Sequence, residues 1–218
     1  MKEPKLILLD FDGVIIESVG IKDEAFRNLF LEYQDHFEEI WSYHLAHNAT
    51  IRFKKFRHIA ENILHIEYTS ELERQWCDQF AKTISEKMAI CPFVDGALAF
   101  LDYWVKKTPI YLISISPAEE LNQLLQKRSI GHYFKEIYAD PWKKIDAFQD
   151  ILKKEQKTFA DALFIGDTPE DYESAQKINI PFIGRQSLKE FQPEVLFFKD
   201  MTEIQKHIVQ YINSKRRI

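Results

Sequence analysis

Residues 5–14 read KLILLDFDGV, a short apolar run that is followed directly by two carboxylates and a glycine. A continuous apolar run of this length, bounded by polar residues, is typical of a parallel strand that is buried on both faces. Asp10 ends the run, and Asp12 follows two residues later on the same side of the chain. Gly13 permits a backbone conformation that other residues rarely adopt. The stretch therefore predicts a strand that carries carboxylates at its carboxyl end.

Further apolar runs of the same kind follow, separated by segments with helical periodicity. The clear ones are Ile110–Ser114, Ala162–Ile165, Ile180–Ile183 and Val195–Phe198, and a weaker one is Glu136–Ala139. Parallel strands that alternate with helices are joined by right-handed crossovers, and the helices cover both faces of the sheet. We therefore expect an α/β fold with a Rossmann-like core built on a parallel sheet.

One long stretch, residues 16–91, interrupts this alternation. Its apolar residues recur at spacings near 3.6, as in Ala25, Phe26, Leu29 and Phe30, and it contains no convincing strand. We interpret it as an inserted all-helical domain at residues 16–91. The α/β core would then consist of residues 1–15 and 92–218.

The composition excludes several classes of protein. The 218 residues include 29 Lys and Arg against 34 Asp and Glu, a net charge of −5. This balance argues against a general binder of nucleic acid or of anionic membranes, which needs clustered positive charge. Two cysteines cannot form a disulfide framework or paired zinc half-sites. The charged first ten residues leave no room for a signal peptide, and no apolar run approaches the ~20 residues that span a bilayer. We expect a cytoplasmic protein with no membrane or nucleic-acid partner.

Polar side chains follow three of the predicted strands. Asp10 and Asp12 follow the first, Ser114 and Ser116 follow the second, and GDTPED at residues 166–171 follows the strand at Ala162–Ile165. Ligands of α/β sheets bind beyond the carboxyl ends of the strands. Carboxylates that cluster there repel one another unless a cation holds them, and oxygen ligands of this kind suit Mg²⁺. Such a metal would also attract a phosphomonoester.

Each of these segments also has a purely structural interpretation. An Asp at a strand end is a common turn former. Ser116, followed by proline and then Glu119, has the form of a helix start with a capping serine. Thr168 likewise precedes a proline and acidic residues that suit the first turn of a helix. These interpretations do not explain why the three segments follow three different strands in this order.

The three segments together resemble the motifs of the haloacid dehalogenase (HAD) superfamily. DFDGV at residues 10–14 is similar to motif I, the strand ending in Ser114 to motif II, and GDTPED at residues 166–171 to motif IV. The resemblance spans residues 5 to about 185 and implies a subclass I phosphatase, similar to phosphoglycolate phosphatases. In that subclass a helical cap is inserted between motifs I and II, where residues 16–91 lie.

The resemblance implies a role for each residue of these motifs. Asp10 would be the nucleophile that forms an aspartyl-phosphate, and Asp12 would be the general acid and base. Mg²⁺ would be held by Asp10, by the backbone carbonyl of Asp12, by Asp167 and by Asp171. Ser114 would bind a phosphoryl oxygen, helped by the turn that contains Ser116. The second aspartate of motif I and the intact motif IV argue against a dehalogenase.

Motif III of the family requires a lysine before the helix that precedes the third catalytic strand. PWKK at residues 141–144 offers Lys143 and Lys144, and the apolar spacing of the following helix favours Lys144. Its charge would neutralise the carboxylates and contact the phosphoryl group. In the helical domain, residues 47–57 lie where related caps place a specificity loop. We expect Arg52 and Lys55 there to bind substrate, although a basic helix face is more often simply solvated.

The expected activity is Mg²⁺-dependent hydrolysis of a small phosphorylated metabolite, such as phosphoglycolate or a sugar phosphate. One alternative is a phosphosugar mutase of the same superfamily, which would use the same two aspartates of motif I. A second is a non-catalytic module that binds a phosphorylated metabolite. The expected oligomeric state is a monomer or a homodimer, because the sequence does not distinguish the two.

Overall fold

The computed structural model describes residues 3–47, 50–188 and 190–215. The chain divides into two units: one is formed by Met1–Val19 with Cys91–Ile218, and the other by Gly20–Ile90. The second unit is a continuous insertion into the first. We take it as the helical domain that the sequence predicts at residues 16–91, and its function as a cap stays a prediction.

The first unit contains a parallel sheet with the strand order β3-β2-β1-β4-β5-β6. The strands are β1 Leu6–Leu9, β2 Ile110–Pro117, β3 Glu136–Asp140, β4 Ala162–Gly166, β5 Phe182–Arg185 and β6 Phe197–Phe198. Every residue of β1 is fully buried, as expected of a central parallel strand. The predicted α/β fold with a Rossmann-like parallel sheet is confirmed.

Three strands begin or end two or more residues from their predicted positions, and one of them, β6, begins at Phe197 instead of Val195. β5 begins at Phe182 instead of Ile180. The amide of Ile180 donates to the carbonyl of Ala175 at 3.0 Å and closes the end of the preceding helix, and Pro181 has no N–H to donate. β2 continues beyond Ser114 to Pro117, with an irregularity in its pairing to β3.

Helices pack against this sheet. They are α5 Ala97–Trp104, α6 Ala118–Lys127, α7 Lys144–Glu155, α8 Pro169–Lys177 and α9 Met201–Lys215. Phe148 of α7 and Phe164 of β4 lie in one buried cluster, with ring centroids 4.9 Å apart. Within the described part of the chain, no helix has the length and apolar character needed to cross a membrane.

The described residues of the inserted unit form helices joined by turns and short irregular segments, with no strand among them. Its helices are α1 Val19–Phe30, α2 Phe37–Ala46, α3 Arg52–His58 and α4 Ser70–Ile90, with a π-helical turn at Ile59–Ile63. Aromatic rings form its core. The centroids of Phe30 and Trp76 lie 5.0 Å apart, and those of Phe56 and Trp76 lie 5.9 Å apart. The apolar residues that recur at helical spacing in the sequence therefore form a hydrophobic core within this unit.

Candidate active site

The ends of β1 and β4 bring three carboxylates together. Asp10 directly follows β1, and its amide donates to the carbonyl of Ile165 in β4 at 3.0 Å. Asp167 directly follows β4, and Asp171 lies in the first turn of α8. One oxygen from each of Asp10, Asp167 and Asp171 lies within 4.8 Å of the others, and all three residues are buried. We call these residues the carboxylate cluster.

Lys144 places a positive charge beside this cluster. It is the first residue of α7, and its Nζ atom lies 3.2 Å from Oδ2 of Asp10 and also donates to Oδ1 of Asp171. Its neighbour Lys143 is exposed. Of the two lysines that the sequence offers, the structure brings Lys144 to the carboxylates.

Burial dominates the electrostatics of the cluster. It raises the pKa of Asp10 to about 7, against the opposing effect of Lys144, and Asp171 and Asp12 raise that pKa further. Burial and the charge of Asp10 also raise the pKa of Asp167 well above its ordinary value. Burial lowers the pKa of Lys144, but Asp10 and Asp171 together outweigh it and raise that pKa above its ordinary value. The charge of Lys144 therefore does not offset the burial and mutual repulsion of the clustered carboxylates.

The cluster fits a bound Mg²⁺ ion. Oδ2 of Asp167 is buried and has no hydrogen-bond partner among the described residues. A buried carboxylate oxygen without a donor is costly, and a hard cation would supply the missing partner. The residues present are the oxygen donors that Mg²⁺ prefers.

Asp171 is oriented by the start of α8. Thr168 caps this helix: its hydroxyl accepts from the Asp171 amide at 3.2 Å and donates to Oδ2 of Asp171 at 2.9 Å. The same carboxylate oxygen accepts from the amides of Asp167 at 3.2 Å and Thr168 at 3.3 Å. This capping box confirms the predicted helix start. It also fixes Oδ1 of Asp171 toward Lys144.

The carboxylate of Asp12 is bound by hydroxyls and is not part of the cluster. Ser18 donates to its Oδ1, and Ser116 donates to its Oδ2 at 3.4 Å. A contact between Asp12 and a metal would therefore come from its backbone carbonyl, as the family resemblance implies, and its side chain remains available for proton transfer.

Ser114 and Ser116 lie on β2, next to β1. Ser114 is buried, and its Oγ accepts from the amide of Ser116 at 3.1 Å. The alternative that Ser116 caps a helix is wrong, because β2 continues to Pro117, which occupies the cap position of α6. The hydroxyl of Ser116 is directed to Asp12 instead.

Sequence analysis missed two residues beside the cluster. Ser187 donates to the backbone carbonyl of Asp167 at 3.3 Å. Arg185 ends β5 and contacts the loop that follows β1, with its Nη1 atom 3.1 Å from the carbonyl oxygen of Gly13. Both residues follow the predicted strand that ends at Ile183. A search for polar residues at the end of this strand as well would have found them.

The two basic residues expected to bind substrate belong to the helical unit. Lys55 is buried there, and its Nζ lies 3.0 Å from Nδ1 of His44, whose Nε2 is 2.9 Å from Asp23. It is therefore not on a solvated helix face. The guanidinium of Arg52 lies over the ring of Phe80, 5.3 Å from its centroid. The substrate-binding role of both stays a prediction. Asn48 and Ala49 of the predicted specificity loop lie outside the described residues.

Comparison with known proteins identifies the family. A profile described as haloacid dehalogenase-like hydrolase matches residues 7–185, which include both strand ends of the cluster and Lys144. The chain belongs to the haloacid dehalogenase-like hydrolase family. The predicted family and the predicted enzyme class, a HAD-like phosphatase, are confirmed.

The curated relatives that match the chain are named phosphoglycolate phosphatases. Phosphoglycolate phosphatases of Pseudomonas savastanoi pv. phaseolicola and of Pseudomonas putida are 24% and 25% identical to the chain. The match to the first relative covers 84% of this chain and 70% of that relative. The match to the second covers 83% of this chain and 69% of that relative.

Solved structures agree with the fold. A HAD hydrolase of family IA, variant 3, from Entamoeba histolytica superposes with a TM-score of 0.75 at 17% identity, covering 98% of this chain and 100% of that one. CbbY from Rhodobacter sphaeroides, crystallised in complex with phosphate, gives a TM-score of 0.72 at 12% identity, covering 92% and 96%. At such identities the likeness concerns the fold.

Proposed function

We propose that this protein is a Mg²⁺-dependent phosphatase of small phosphomonoesters that works through an aspartyl-phosphate intermediate. The observation that carries the proposal is the carboxylate cluster with Lys144, and above all the buried Oδ2 of Asp167 without a hydrogen-bond partner in the described structure. Bound Mg²⁺ would neutralise phosphate oxygens beside these carboxylates. Asp10, Asp167 and the backbone carbonyl of Asp12 would hold it, with Asp171 beside them.

Asp10 is the nucleophile in this proposal. It ends β1 at the carboxyl edge of the sheet, where its carboxylate can attack phosphorus and displace the alcohol. Lys144, 3.2 Å from its Oδ2, favours the ionised form of the carboxylate and would neutralise negative charge on the transferred group. Asp171 holds the lysine in that position.

Asp12 is the general acid and base. It gives a proton to the leaving oxygen and later takes one from the water that attacks the aspartyl-phosphate. The hydroxyls of Ser18 and Ser116 fix both of its oxygens, so its side chain has one defined direction. Ser114, buried on the adjacent strand, would bind a phosphoryl oxygen together with backbone N–H groups of the residues that follow it.

The names of the curated relatives support the proposed substrate class. Curated relatives at 24–25% identity are named phosphoglycolate phosphatases, and we propose phosphoglycolate or a similarly small phosphorylated metabolite as the substrate. The helical unit would act as a cap, with Arg52 and Lys55 contacting the part of the substrate that leaves. We further propose a cytoplasmic location and a monomeric or homodimeric state.

Phosphate release from a panel of small phosphomonoesters tests the activity. The panel contains phosphoglycolate, hexose phosphates and nucleoside monophosphates, each with Mg²⁺ and with excess chelator. Asp10→Asn should lower kcat by at least about 10³-fold, because it removes the nucleophile. Asp146→Asn, at an exposed carboxylate of α7, is the control and should keep wild-type rates. Activity that survives chelation or Asp10→Asn would contradict the proposal. Interconversion of hexose phosphates without phosphate release would identify a mutase instead.

Substrate binding by the helical unit needs a separate test. Arg52→Ala and Lys55→Met should raise KM for the best substrate, whereas Lys54→Ala changes an exposed lysine of the same helix and should leave KM unchanged. Equal KM values for all three variants would remove Arg52 and Lys55 from the proposed substrate site.

A further inference from the structure

Arg185 is a buried cation that the proposed mechanism does not use. It ends β5 and is 8% exposed. Burial of a guanidinium is costly unless acceptors surround it. Here Nε donates to the carbonyl of Lys199 at 3.1 Å, and Nη1 donates to the carbonyl of Gly13 at 3.1 Å. Nη1 also donates to Glu17 at 3.0 Å, and Nη2 donates to the other oxygen of that carboxylate.

Two of these acceptors belong to the loop that follows Asp10. Gly13 and Glu17 lie on either side of Ile16, whose carbonyl accepts from the amides of Gly13 and Ser18, each at 2.9 Å. We call residues 12–18 the motif I loop. Arg185 therefore joins the end of β5 to both halves of a tight loop that is distant from it in sequence.

The motif I loop carries the group that would move protons. Ser18, the residue after Glu17, donates its hydroxyl to Oδ1 of Asp12. A shift of the loop would thus change the direction of the Asp12 carboxylate. The loop also lies directly against the carboxylate cluster, because a Cβ atom on Gly13 would be 2.1 Å from Oδ2 of Asp167.

We propose that Arg185 is a positioning residue that holds the motif I loop and, through Glu17 and Ser18, aligns Asp12 for proton transfer to the leaving group. The inference rests on the proposed phosphatase function. The planar guanidinium is required because it donates in three directions at once. A lysine would keep the charge but could not reproduce the paired contact with Glu17.

Substrates with different leaving groups test the inference. Alkyl phosphates such as phosphoglycolate need a proton on the departing oxygen, whereas p-nitrophenyl phosphate has a leaving group that departs with little protonation. Arg185→Lys and Glu17→Gln should each lower kcat/KM for the alkyl substrate, which reports the step that releases the leaving group, by about 10-fold or more. The kcat/KM for p-nitrophenyl phosphate should fall much less. Combining the two substitutions should cost little more than either one, because both remove the same contact.

Lys5→Met serves as the structural control. It breaks the ion pair between Lys5 and Asp161, at the opposite edge of the sheet, where the Nζ–Oδ1 distance is 2.8 Å. The control should leave the ratio of the two substrate rates at its wild-type value. If Arg185→Lys and Glu17→Gln also leave that ratio unchanged, or lower both rates equally, the inference is overturned.

Amide hydrogen exchange gives a second test that needs no activity. Arg185→Lys should increase exchange at the amides of Gly13 and Ser18 and leave exchange within β1 at its wild-type rate. Unchanged protection of the motif I loop would overturn the inference even if the wild-type protein hydrolyses phosphate. Conversely, faster exchange in a protein that releases no phosphate would contradict the proposed function and leave the structural link between Arg185 and the loop in place.

Discussion

The α-carbon of Gly13 faces the carboxylate of Asp167 so closely that a Cβ atom there would lie 2.1 Å from Oδ2. Gly13 also has a φ of +73°, in the left-handed region that side chains disfavour. Two separate constraints therefore require glycine at this position: the left-handed backbone conformation, and the lack of space for a side chain beside the Asp167 carboxylate. The loop after β1 and the loop after β4 fit together only without a side chain at this position.

Gly13→Ala should remove phosphatase activity. The added methyl group would displace Asp167 or the motif I loop, and either shift separates groups that must act together. We expect kcat to fall by about 100-fold or more, measured as phosphate release at saturating Mg²⁺. Gly20→Ala is the matched control, because a Cβ atom there meets no atom of the described residues within 4 Å. Wild-type activity of Gly13→Ala would show that the two loops are not held as closely as described.

Lys144→Met should lower kcat strongly while Lys143→Met leaves it near the wild-type value. Lys144 contacts Asp10 and Asp171, whereas Lys143 is exposed. Loss of the buried charge removes stabilisation of the transferred phosphoryl group, for which about 100- to 1,000-fold is expected by analogy with other charge-stabilising donors. Steady-state rates for both variants decide the matter. Equal loss in the two variants would contradict the assignment of Lys144 as the motif III lysine.

Thr168→Ala should lower both stability and activity, and Thr168→Ser should restore both. The hydroxyl accepts from the Asp171 amide and donates to the Asp171 carboxylate. Loss of such a cap costs about 1 kcal/mol in free energy of unfolding, which urea denaturation measures. Because the carboxylate of Asp171 then loses a donor, Lys144 is held less firmly and kcat should also fall. A loss of stability without a loss of kcat would confine Thr168 to helix capping.

Glu155→Gln should destabilise the protein in a pH-dependent way. The donors Lys135 and Tyr111 lower the pKa of Glu155 below its ordinary value of 4.5. A carboxyl group whose folded-state pKa is lowered stabilises the protein above its unfolded pKa, and this contribution disappears as the pH falls through the folded-state pKa. The difference in unfolding free energy between wild type and Glu155→Gln should therefore have its largest value at pH 7. It should disappear as the pH falls below 4.5 and through the folded-state pKa of Glu155.

Lys135→Met provides the comparison for this prediction. It removes the largest cause of the lowered pKa of Glu155, so the pH dependence of the Glu155→Gln difference should shrink in its background. Denaturation curves at a series of pH values measure both effects. A difference that does not vary with pH would show that Glu155 acts through packing and not through its charge.

The strands could be predicted from the sequence because they are buried on both faces and so read as continuous apolar runs. β1 and β4 lie within one residue of their predicted bounds. The bounds of β5 were missed, because Ile180 belongs to the end of the preceding helix through its bond to Ala175, and an apolar run does not show which backbone bonds its residues make.

The candidate site could be predicted only as a set of residue types. Motif order placed Asp10 and Asp167 at strand ends and Asp171 at the start of the following helix, and the structure brings the three together. Whether Lys55 is solvated or buried could not be read from α3, because a basic helix face looks the same in both cases. Its burial beside His44 depends on α2, which packs against it from another part of the chain.

The sequence by itself determined the α/β class and predicted the helical insertion, because both depend on local apolar patterns, and its resemblance to the HAD superfamily identified the motif residues. Only the tertiary structure decided that Lys144 and not Lys143 meets the carboxylates, that Ser116 contacts Asp12 and does not cap a helix, and that Arg185 holds the motif I loop. These contacts join segments up to 172 positions apart. Their geometry follows from strand order and register, which no local spacing records.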